Sequence, residues 1–341
     1  MGRTDIKVSR ICLGTMTFGE QNNSNDAFKQ LDIAVDHGVN FLDTAEAYSF
    51  PGRPETQGAS EKIIGNWLHS RGNRDKIVIA TKITGPSKER SHIRSGILNY
   101  TREQVSEAVD LSLKRLKTDF IDLYQTHWPE RNSNYFGKLG YTHTEEDDLT
   151  SLEEQLDALN EQVKLGKIRT IGVSNETAWG LMAFLRISER TGLARISTIQ
   201  NPYNLICRQY EIGLAEASIR EDVGLLAYSP LAFGALTGKY LNGNLPKNSR
   251  HKLFPQFVRY FKSGGIKATK AYVALAQKHG IEASQMALTF VNSQRFLTSN
   301  IIGATTIEQL KSNLKTEDMV LSDEIKEEIE AIHMENSNPA P

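Results

Sequence analysis

The sequence predicts an α/β protein, a single (β/α)8 barrel of the TIM type, from the alternation of its apolar segments. Eight short runs rich in valine, isoleucine, leucine and threonine alternate with longer amphipathic segments. Strands that alternate with helices form a parallel sheet, and a count of eight favours a closed barrel over an open doubly wound sheet. The chain has 341 residues, which accommodates such a barrel of roughly 250 residues with insertions.

The eight predicted strands are short and apolar, as expected of strands that are buried on both faces. They are expected at Arg10–Thr15, Asn40–Ala45, Lys76–Ile83, Phe120–His127, Thr170–Asn175, Ile196–Asn201, Gly224–Pro230 and Asn300–Thr305. Helix starts are indicated by capping-box spacing, at Thr101 with Gln104, Ser151 with Glu154, and Thr306 with Gln309. Gly166 is placed to end the second of these helices.

Two connections are longer than a loop and a helix require. Residues 128–150 follow the fourth strand, and residues 231–268 follow the seventh, before a helix near Thr269–His279. Long loops at the carboxyl ends of barrel strands lie over the face that carries active sites. An extra C-terminal helix is predicted at Ser322–His333, so that residues 1–335 form one barrel domain and residues 336–341 a frayed tail.

Composition excludes several classes of protein. The 40 basic and 41 acidic residues leave a net charge of -1, which argues against a nucleic-acid partner. The two cysteines, Cys12 and Cys207, stand outside any C-x-x-C pair, so no disulfide framework or zinc site is expected. No secretory signal or run of about 18 apolar residues is visible. The sequence therefore indicates a soluble protein of the reducing cytoplasm, with no metal and no membrane partner.

Ionisable side chains stand where three consecutive strands end. Asp43 ends the second strand and is followed by Tyr48, Lys82 ends the third, and His127 ends the fourth. In a barrel these positions face the same mouth. A free phenol has a pKa of about 10, which a neighbouring ammonium lowers, while a carboxylate keeps that ammonium charged. The group suits protonation of an oxygen that gains negative charge, as in carbonyl reduction.

The sequence also contains a candidate phosphate site at the eighth strand. No G-x-G-x-x-G or Walker A sequence is present, but Gly303 begins a small-residue turn that leads into the helix capped by Thr306. Free N–H groups and the dipole at a helix start favour anions.

Segments along nearly the whole chain resemble the aldo-keto reductases. They are Gly14–Gly19, Phe41–Tyr48, Lys82, Asp122–Trp128, Ile171–Asn175, Gln200–Tyr203 and Tyr228–Leu231. Three further segments, Pro54–Gly58, Phe136–Tyr141 and Leu236–Gly243, resemble the bacterial Tas-type branch. The resemblance implies a catalytic tetrad on Asp43, Tyr48, Lys82 and His127, in which Tyr48 donates the proton, Lys82 with Asp43 tunes it, and His127 orients the carbonyl oxygen.

The resemblance implies NADPH as cofactor and assigns residues to it. Ser174, Asn175 and Gln200 match the groups that hold the carboxamide, and Tyr228 matches the aromatic residue that stacks on nicotinamide. Lys239 and Arg250 match positions that reach the adenosine phosphates. The remaining matched positions are Thr15, Met16, Asp43, Ser229, Pro230, Leu231, Gly303, Thr305, Gln309 and Asn313.

The N-terminal segment departs from the family pattern, and the substrate-lining residues are not defined by it. Members of this branch commonly carry residues that complete a hairpin under the barrel, so here the first hairpin strand is expected to be short or absent. The candidate substrate-lining residues suit carbonyl compounds with an apolar body. They are Met16, Phe18, Trp128, Tyr135 and Phe136.

Two alternatives to a reductase of aldehydes and ketones stay open. Lys82 at a strand end can form a Schiff base, as in an aldolase, if its pKa is depressed. A cofactor-sensing module would bind NADPH and turn over slowly. The sequence does not decide the physiological substrate, the direction of reaction or the oligomeric state.

Overall fold

Eight parallel strands close into a barrel in the computed structural model, which describes residues 1–144 and 149–341. The strands are β1 Ile11–Gly14, β2 Phe41–Asp43, β3 Val78–Ile83, β4 Ile121–Thr126, β5 Ile168–Ser174, β6 Ile196–Pro202, β7 Gly224–Tyr228 and β8 Leu297–Ile302. They follow one another around the barrel in chain order, and β8 closes it by pairing with β1. The predicted (β/α)8 barrel is confirmed.

Helices surround the barrel. They are α1 Ser24–Asp36, α2 Ala59–Arg71, α3 Arg102–Leu116, α4 Leu152–Lys164, α5 Ala178–Thr191, α6 Leu214–Glu221, α7 Arg250–Leu253, α8 Ser263–Lys278, α9 Ala283–Asn292, α10 Ile307–Leu314 and α11 Asp323–Glu335. α11 is the predicted extra C-terminal helix. No helix in the part of the chain that the structure describes is long and apolar enough to cross a membrane.

The predicted helix starts are confirmed by their hydrogen bonds. The side chains of Thr101, Ser151 and Thr306 each accept a hydrogen bond from the backbone three residues later, and Ser151 forms a full capping box with Glu154. Gly166 follows the end of α4 with a φ of 72°, a left-handed conformation that glycine adopts without strain. α8 begins at Ser263, six residues earlier than the sequence indicates.

The eighth strand begins three residues earlier than the sequence predicts, at Leu297–Ile302 instead of Asn300–Thr305. Its first half includes the polar Thr298 and the buried Ser299, which the sequence does not indicate as part of a barrel strand. Ser299 Oγ donates to the carbonyl of Ser9 at 2.8 Å, and Asn300 Nδ2 donates to Asn292 Oδ1 at 2.9 Å. Partners from distant parts of the chain therefore make a polar strand suitable for the interior.

The barrel interior consists of an apolar layer below a polar one. Phe41, Ala80 and Leu123 belong to a buried cluster inside the barrel. Two residues further along their strands stand Asp43, Lys82 and Gln125. Because alternate residues of a strand point to the same face, these polar side chains lie above the apolar cluster, at the carboxyl end.

The N-terminal segment agrees with the prediction from the sequence, and the C-terminal segment does not. Residues 1–10, all of them described, form no strand, as expected, and the buried Ile6 packs on the apolar cluster at the barrel bottom. The prediction that residues 336–341 form a frayed tail is wrong. The Ala340 amide donates to the carbonyl of Ile206 at 3.1 Å, and Asn338 Oδ1 accepts from the Arg208 amide at 2.7 Å. These contacts are far apart in sequence, so local composition did not reveal them.

Both long connections lie at the carboxyl end of the barrel, as predicted. The connection after β7 contains several short turns and the single-turn helix α7 before α8 begins. The connection after β4 is described except for residues 145–148 of the predicted span 128–150.

Candidate active site

The polar layer at the carboxyl mouth is organised around Lys82, whose side chain is fully buried. Its Nζ donates to Asp43 Oδ2 and to the carbonyl of Thr44, each at 2.7 Å. Gln200 Nε2 donates to the other carboxylate oxygen of Asp43 at 2.8 Å. The ion pair is therefore satisfied on both sides, as a buried pair of charges requires.

Tyr48 and His127 complete the group of four predicted residues. Lys82 Nζ lies 5.1 Å from the centroid of the Tyr48 ring. The His127 ring meets the Tyr48 ring edge-on, with centroids 5.7 Å apart. A phenol, an imidazole and a buried ammonium thus lie together at the mouth of the barrel, where a substrate oxygen can reach the first two.

The protonation of Lys82 bears on the aldolase alternative. Burial lowers its pKa, but the Asp43 charge, the electrostatic interaction with Tyr48 and the hydrogen bond to Asp43 raise it, and the net pKa lies above that of free lysine. Attack on a carbonyl needs the neutral amine. The environment of Lys82 therefore disfavours Schiff-base chemistry.

The sequence leads us to expect that the Lys82 ammonium lowers the pKa of Tyr48 overall, and the structure shows the opposite net shift. Burial raises the pKa of Tyr48 by more than the charge of Lys82 lowers it, so the net shift is upward. Burial, and then the charges of Lys82 and Arg90, hold the pKa of His127 well below its usual value. At neutral pH the site therefore presents a protonated phenol and a neutral imidazole.

The three predicted carboxamide-binding residues, Ser174, Asn175 and Gln200, form one connected group beside His127 with Tyr228, the predicted nicotinamide-stacking residue. Tyr228 OH donates to Asn175 Oδ1 at 2.6 Å, and Asn175 Nδ2 donates to the carbonyl of His127 at 2.9 Å. Ser174 Oγ donates to the carbonyl of Gln200 at 2.8 Å. Asn175 adopts a left-handed φ of 54°, which asparagine tolerates better than most residues. The structure brings these four residues together next to the tetrad.

The turn after β8 is open to a ligand. A Cβ atom placed on Gly303 would have no atom within 4 Å. Gln309 Oε1 accepts hydrogen bonds from the Thr305 amide at 3.0 Å and from its hydroxyl at 3.1 Å. Asn313 Nδ2 donates to the Gly303 carbonyl at 3.4 Å. The three polar residues hold the turn at the start of α10, where anions are favoured.

The two predicted phosphate-binding cations lie in the segment after β7. Arg250 Nη2 contacts Met16 Sδ at 3.1 Å, and its guanidinium lies 5.0 Å from the centroid of the Phe233 ring. Lys239 lies beside Gly234, because a Cβ atom placed on that glycine would fall 3.0 Å from Nζ of Lys239. Neither cation forms an ion pair with a carboxylate among residues 1–144 and 149–341. Both charges are therefore available to an anion, which is the property that a dinucleotide phosphate site needs.

Other predicted positions have mainly structural partners. Thr15 is buried, and its hydroxyl donates to the carbonyl of Asp43 at 2.9 Å. Ser229 has a left-handed φ of 54° and its carbonyl accepts from Asn204 Nδ2 at 2.9 Å, at the bend that carries Pro230 and Leu231 away from β7.

The predicted substrate-lining residues divide into two groups. The Trp128 ring lies beside the His127 ring at a tilt of 46°, with centroids 4.8 Å apart, and meets the half-exposed Phe136 edge-on at 5.7 Å. Tyr135 packs on Phe136 at 5.0 Å. Phe18 has no exposed surface and belongs to the main core, so its assignment to an open pocket is wrong. Its position in the loop after β1, next to Gly19, did not indicate this burial.

Three charged residues near the site escaped sequence reasoning. Glu46 and Arg94 form a buried ion pair behind the tetrad, and the Arg90 guanidinium lies 5.9 Å from the Trp128 ring centroid. Glu46 follows Asp43 by three residues in the segment after β2, and this second carboxylate near the strand end was a sequence signal for a site residue. The loop containing Arg90 and Arg94 gave none, because it has neither regular periodicity nor a capping pattern.

Barrels of this kind host many chemistries, and comparison with known proteins identifies the class of this protein as an oxidoreductase. Residues 10–333 match the model of the aldo/keto reductase family. The chain is 51% identical over 338 residues to Protein tas of Escherichia coli (strain K12), covering 99% of this chain and 98% of that protein. The protein belongs to the aldo/keto reductase family, and its resemblance to the Tas-type branch is confirmed.

Two more distant relatives are oxidoreductases by name. The uncharacterized oxidoreductase YrpG of Bacillus subtilis (strain 168) is 32% identical over 326 residues, which cover 95% of this chain and 92% of that protein. The norsolorinic acid reductase stcV of Emericella nidulans is 30% identical over 340 residues, which cover 95% of this chain and 78% of that protein.

Proposed function

We propose that this protein reduces aldehydes or ketones to alcohols with NADPH, and that Tyr48 supplies the proton. The observation that carries the proposal is the position of Lys82, which lies between the Asp43 carboxylate and the face of the Tyr48 ring. A buried ammonium in this position stabilises negative charge that develops on the phenol as its proton leaves.

The residues of the chain have distinct roles in this reaction. Tyr48 holds the phenolic proton until the carbonyl oxygen gains charge, and then donates it to that oxygen. The neutral His127 orients the same oxygen by a hydrogen bond. Asp43 keeps Lys82 charged and in place, and Gln200 holds the Asp43 carboxylate from its other side.

The residues around the mouth fit a nicotinamide dinucleotide. Ser174, Asn175 and Gln200 would hold the carboxamide, Tyr228 would face the ring, and the turn at Gly303 would receive phosphate. The bound cofactor supplies hydride from C4 of its nicotinamide. Lys239 and Arg250, two cations without carboxylate partners in the described residues, support selection of NADPH over NADH through the additional phosphate.

The proposed partner is a small carbonyl compound, and the proposed location is the cytoplasm. Cys12 and Cys207 are both free and buried, which is compatible with a reducing compartment. Cell fractionation with an antibody against the protein tests the location, and recovery in an extracytoplasmic fraction contradicts it.

The decisive experiment compares Tyr48→Phe with a matched control, Tyr141→Phe, which alters an exposed tyrosine in the loop after β4. We expect Tyr48→Phe to lose at least about a thousandfold of carbonyl reduction, within the range attributed to proton transfer and charge stabilisation together. Its affinity for NADPH, followed by quenching of tryptophan fluorescence, should stay nearly unchanged. Tyr141→Phe should resemble the parent protein in both measurements.

Two results contradict the proposal. If the parent protein binds neither NADPH nor NADH, by fluorescence and by calorimetry, the cofactor assignment fails. If Tyr48→Phe keeps its reductase activity, Tyr48 is not the proton donor. Equal affinity for the two nucleotides would refute only the role of Lys239 and Arg250 in selecting NADPH.

A further inference from the structure

Arg90 is a cation at the active-site mouth that the tetrad does not use. It ends a short turn, Lys88–Arg90, in the loop after β3. In the described part of the chain no carboxylate forms an ion pair with its guanidinium. Arg94, four residues further on, is in contrast paired with Glu46 and Gln104 and donates to the carbonyl of Thr84. A half-buried arginine without such partners has five N–H donors to offer a ligand.

The Arg90 guanidinium is held in position by packing. It lies 5.9 Å from the centroid of the Trp128 ring. A Cβ atom placed on Gly52 would fall 2.5 Å from Nη1 of Arg90, so the missing side chain at Gly52 makes the space that the guanidinium occupies. Trp128 is itself fixed, because Nε1 donates to the carbonyl of Pro86 at 3.1 Å.

Arg90 is close enough to the catalytic pair to act on it electrostatically. Its charge contributes to the lowered pKa of His127, after burial and Lys82, and opposes the upward shift of the pKa of Tyr48. Burial lowers the pKa of Arg90 itself, while the charges of Tyr48 and Glu89 raise it. An anion bound by Arg90 would therefore lie near the two residues that handle the carbonyl oxygen.

We propose that Arg90 binds an oxyanion of the substrate, a carboxylate or a phosphate, so that this reductase acts on aldehydes or ketones that carry a negative charge. The inference rests on the proposed function and names its substrate class. The planar guanidinium matches such groups through paired hydrogen bonds.

The surroundings of Arg90 also indicate the rest of the substrate. Trp128 and the half-exposed Phe136 meet edge-on at 5.7 Å, and the Trp128 ring lies next to His127. These aromatic side chains provide apolar surface between the cation and the tetrad. An aromatic or otherwise apolar body with a carbonyl group and an oxyanion satisfies both features.

The test uses three matched aromatic aldehydes and two matched variants. The aldehydes are 4-carboxybenzaldehyde, its methyl ester, and 4-formylphenyl phosphate. The variants are Arg90→Gln and Lys88→Gln, which remove one positive charge each from the same turn, the second at an exposed position. Thermal melting and NADPH affinity are measured for each variant, and Arg90→Met serves as a second variant if Arg90→Gln does not fold.

For the parent protein we expect a higher kcat/KM for a charged aldehyde than for the ester. Arg90→Gln should lose roughly 10- to 100-fold in kcat/KM for the charged aldehyde, mainly through KM, with little change for the ester. Lys88→Gln should keep the preference. An additional variant, Arg90→Lys, retains the positive charge and should keep part of the preference that Arg90→Gln loses. Preference for the carboxylate over the phosphate, or the reverse, identifies which oxyanion the site accepts.

A binding measurement separates failure of this inference from failure of the proposed function. Benzoate is titrated by calorimetry into the parent protein and Arg90→Gln, each saturated with NADP⁺. If the parent protein reduces the ester with no preference for charged aldehydes and binds no benzoate, the oxyanion site is refuted and the reductase stands. If no aldehyde is reduced but benzoate binds only with Arg90 present, the reductase is refuted and the site stands. Equal losses for acid and ester in Arg90→Gln would also overturn the inference.

Discussion

Glu46 and Arg94 form an ion pair behind the active site in which both side chains are almost completely buried. Arg94 Nη2 lies 3.2 Å from Glu46 Oε1, and the side chains are 0% and 1% exposed. Glu46 Oε1 also accepts from the Thr84 amide at 2.5 Å. Since Glu46 lies between Asp43 and Tyr48 in sequence, and Thr84 follows Lys82, the pair joins the two segments that carry three of the four tetrad residues.

We therefore expect Arg94→Met to destabilise the protein strongly. The change leaves the Glu46 carboxylate buried without its cation, which typically costs about 3–5 kcal/mol. Urea unfolding measures the loss. The control is Arg102→Met, which removes the exposed ion pairs with Asp157 and Glu161 and should have a much smaller effect. Similar losses in the two variants would show that the buried pair has no special role.

The pH dependence of carbonyl reduction follows from the protonation of Tyr48 and His127. The pKa of Tyr48 is raised above 10, so the phenol keeps its proton through neutral pH, and the proton is lost only in the strongly alkaline range. The pKa of His127 is well below 6.5, so the imidazole stays neutral from about pH 6 upward.

We accordingly expect kcat/KM for reduction to be nearly constant from about pH 6 to 9 and to fall above about pH 10. Alcohol oxidation needs the deprotonated phenol, and its rate should rise with pH over the same range. Steady-state kinetics at constant ionic strength measure both profiles. A drop in reduction centred near pH 7 would mean that another group controls the proton transfer.

Asp43→Asn should make Lys82 more reactive toward carbonyl compounds. Burial lowers the pKa of Lys82 and the Asp43 charge opposes this effect, so removing the charge should lower the pKa and increase the neutral fraction. Borohydride trapping with a keto acid, followed by mass spectrometry, detects an adduct at Lys82. We expect little adduct in the parent protein and more in the variant. Efficient trapping in the parent protein would favour the Schiff-base alternative.

Gly65→Ala should destabilise the contact between α2 and α3. A Cβ atom on Gly65 would lie 2.3 Å from the carbonyl oxygen of Arg115 and 2.6 Å from the carbonyl carbon of Leu116. Backbone atoms cannot move aside cheaply, so we expect a loss of roughly 1–3 kcal/mol. Gly264→Ala in α8 is the matched control, because its nearest contact would be an ordinary 3.4 Å. Urea unfolding of both variants tests the difference, and a stable Gly65→Ala would refute the close packing.

Local patterns were sufficient for most of the barrel. Apolar runs and capping spacings are properties of neighbouring residues, and they located seven strands and three helix starts closely. β8 begins three residues earlier than predicted because the polar Ser299 becomes acceptable in the interior only through its hydrogen bond to the carbonyl of Ser9. The C-terminal tail was misjudged for the same reason, since Ala340 finds its partner at Ile206.

The site shows the same division. The sequence by itself predicted which four residues meet at the mouth, because the period-two alternation of a strand places Asp43 and Lys82 on the inner face and the parallel topology brings strand ends together. Their catalytic roles stay a prediction. Only the tertiary structure decided the protonation of Tyr48, the burial of Phe18 and the pairing of Glu46 with Arg94. It also decided that Arg90 has no carboxylate partner among residues 1–144 and 149–341. Burial and charge pairing depend on distances between residues that are far apart in the chain, and these distances exist only after the barrel has closed.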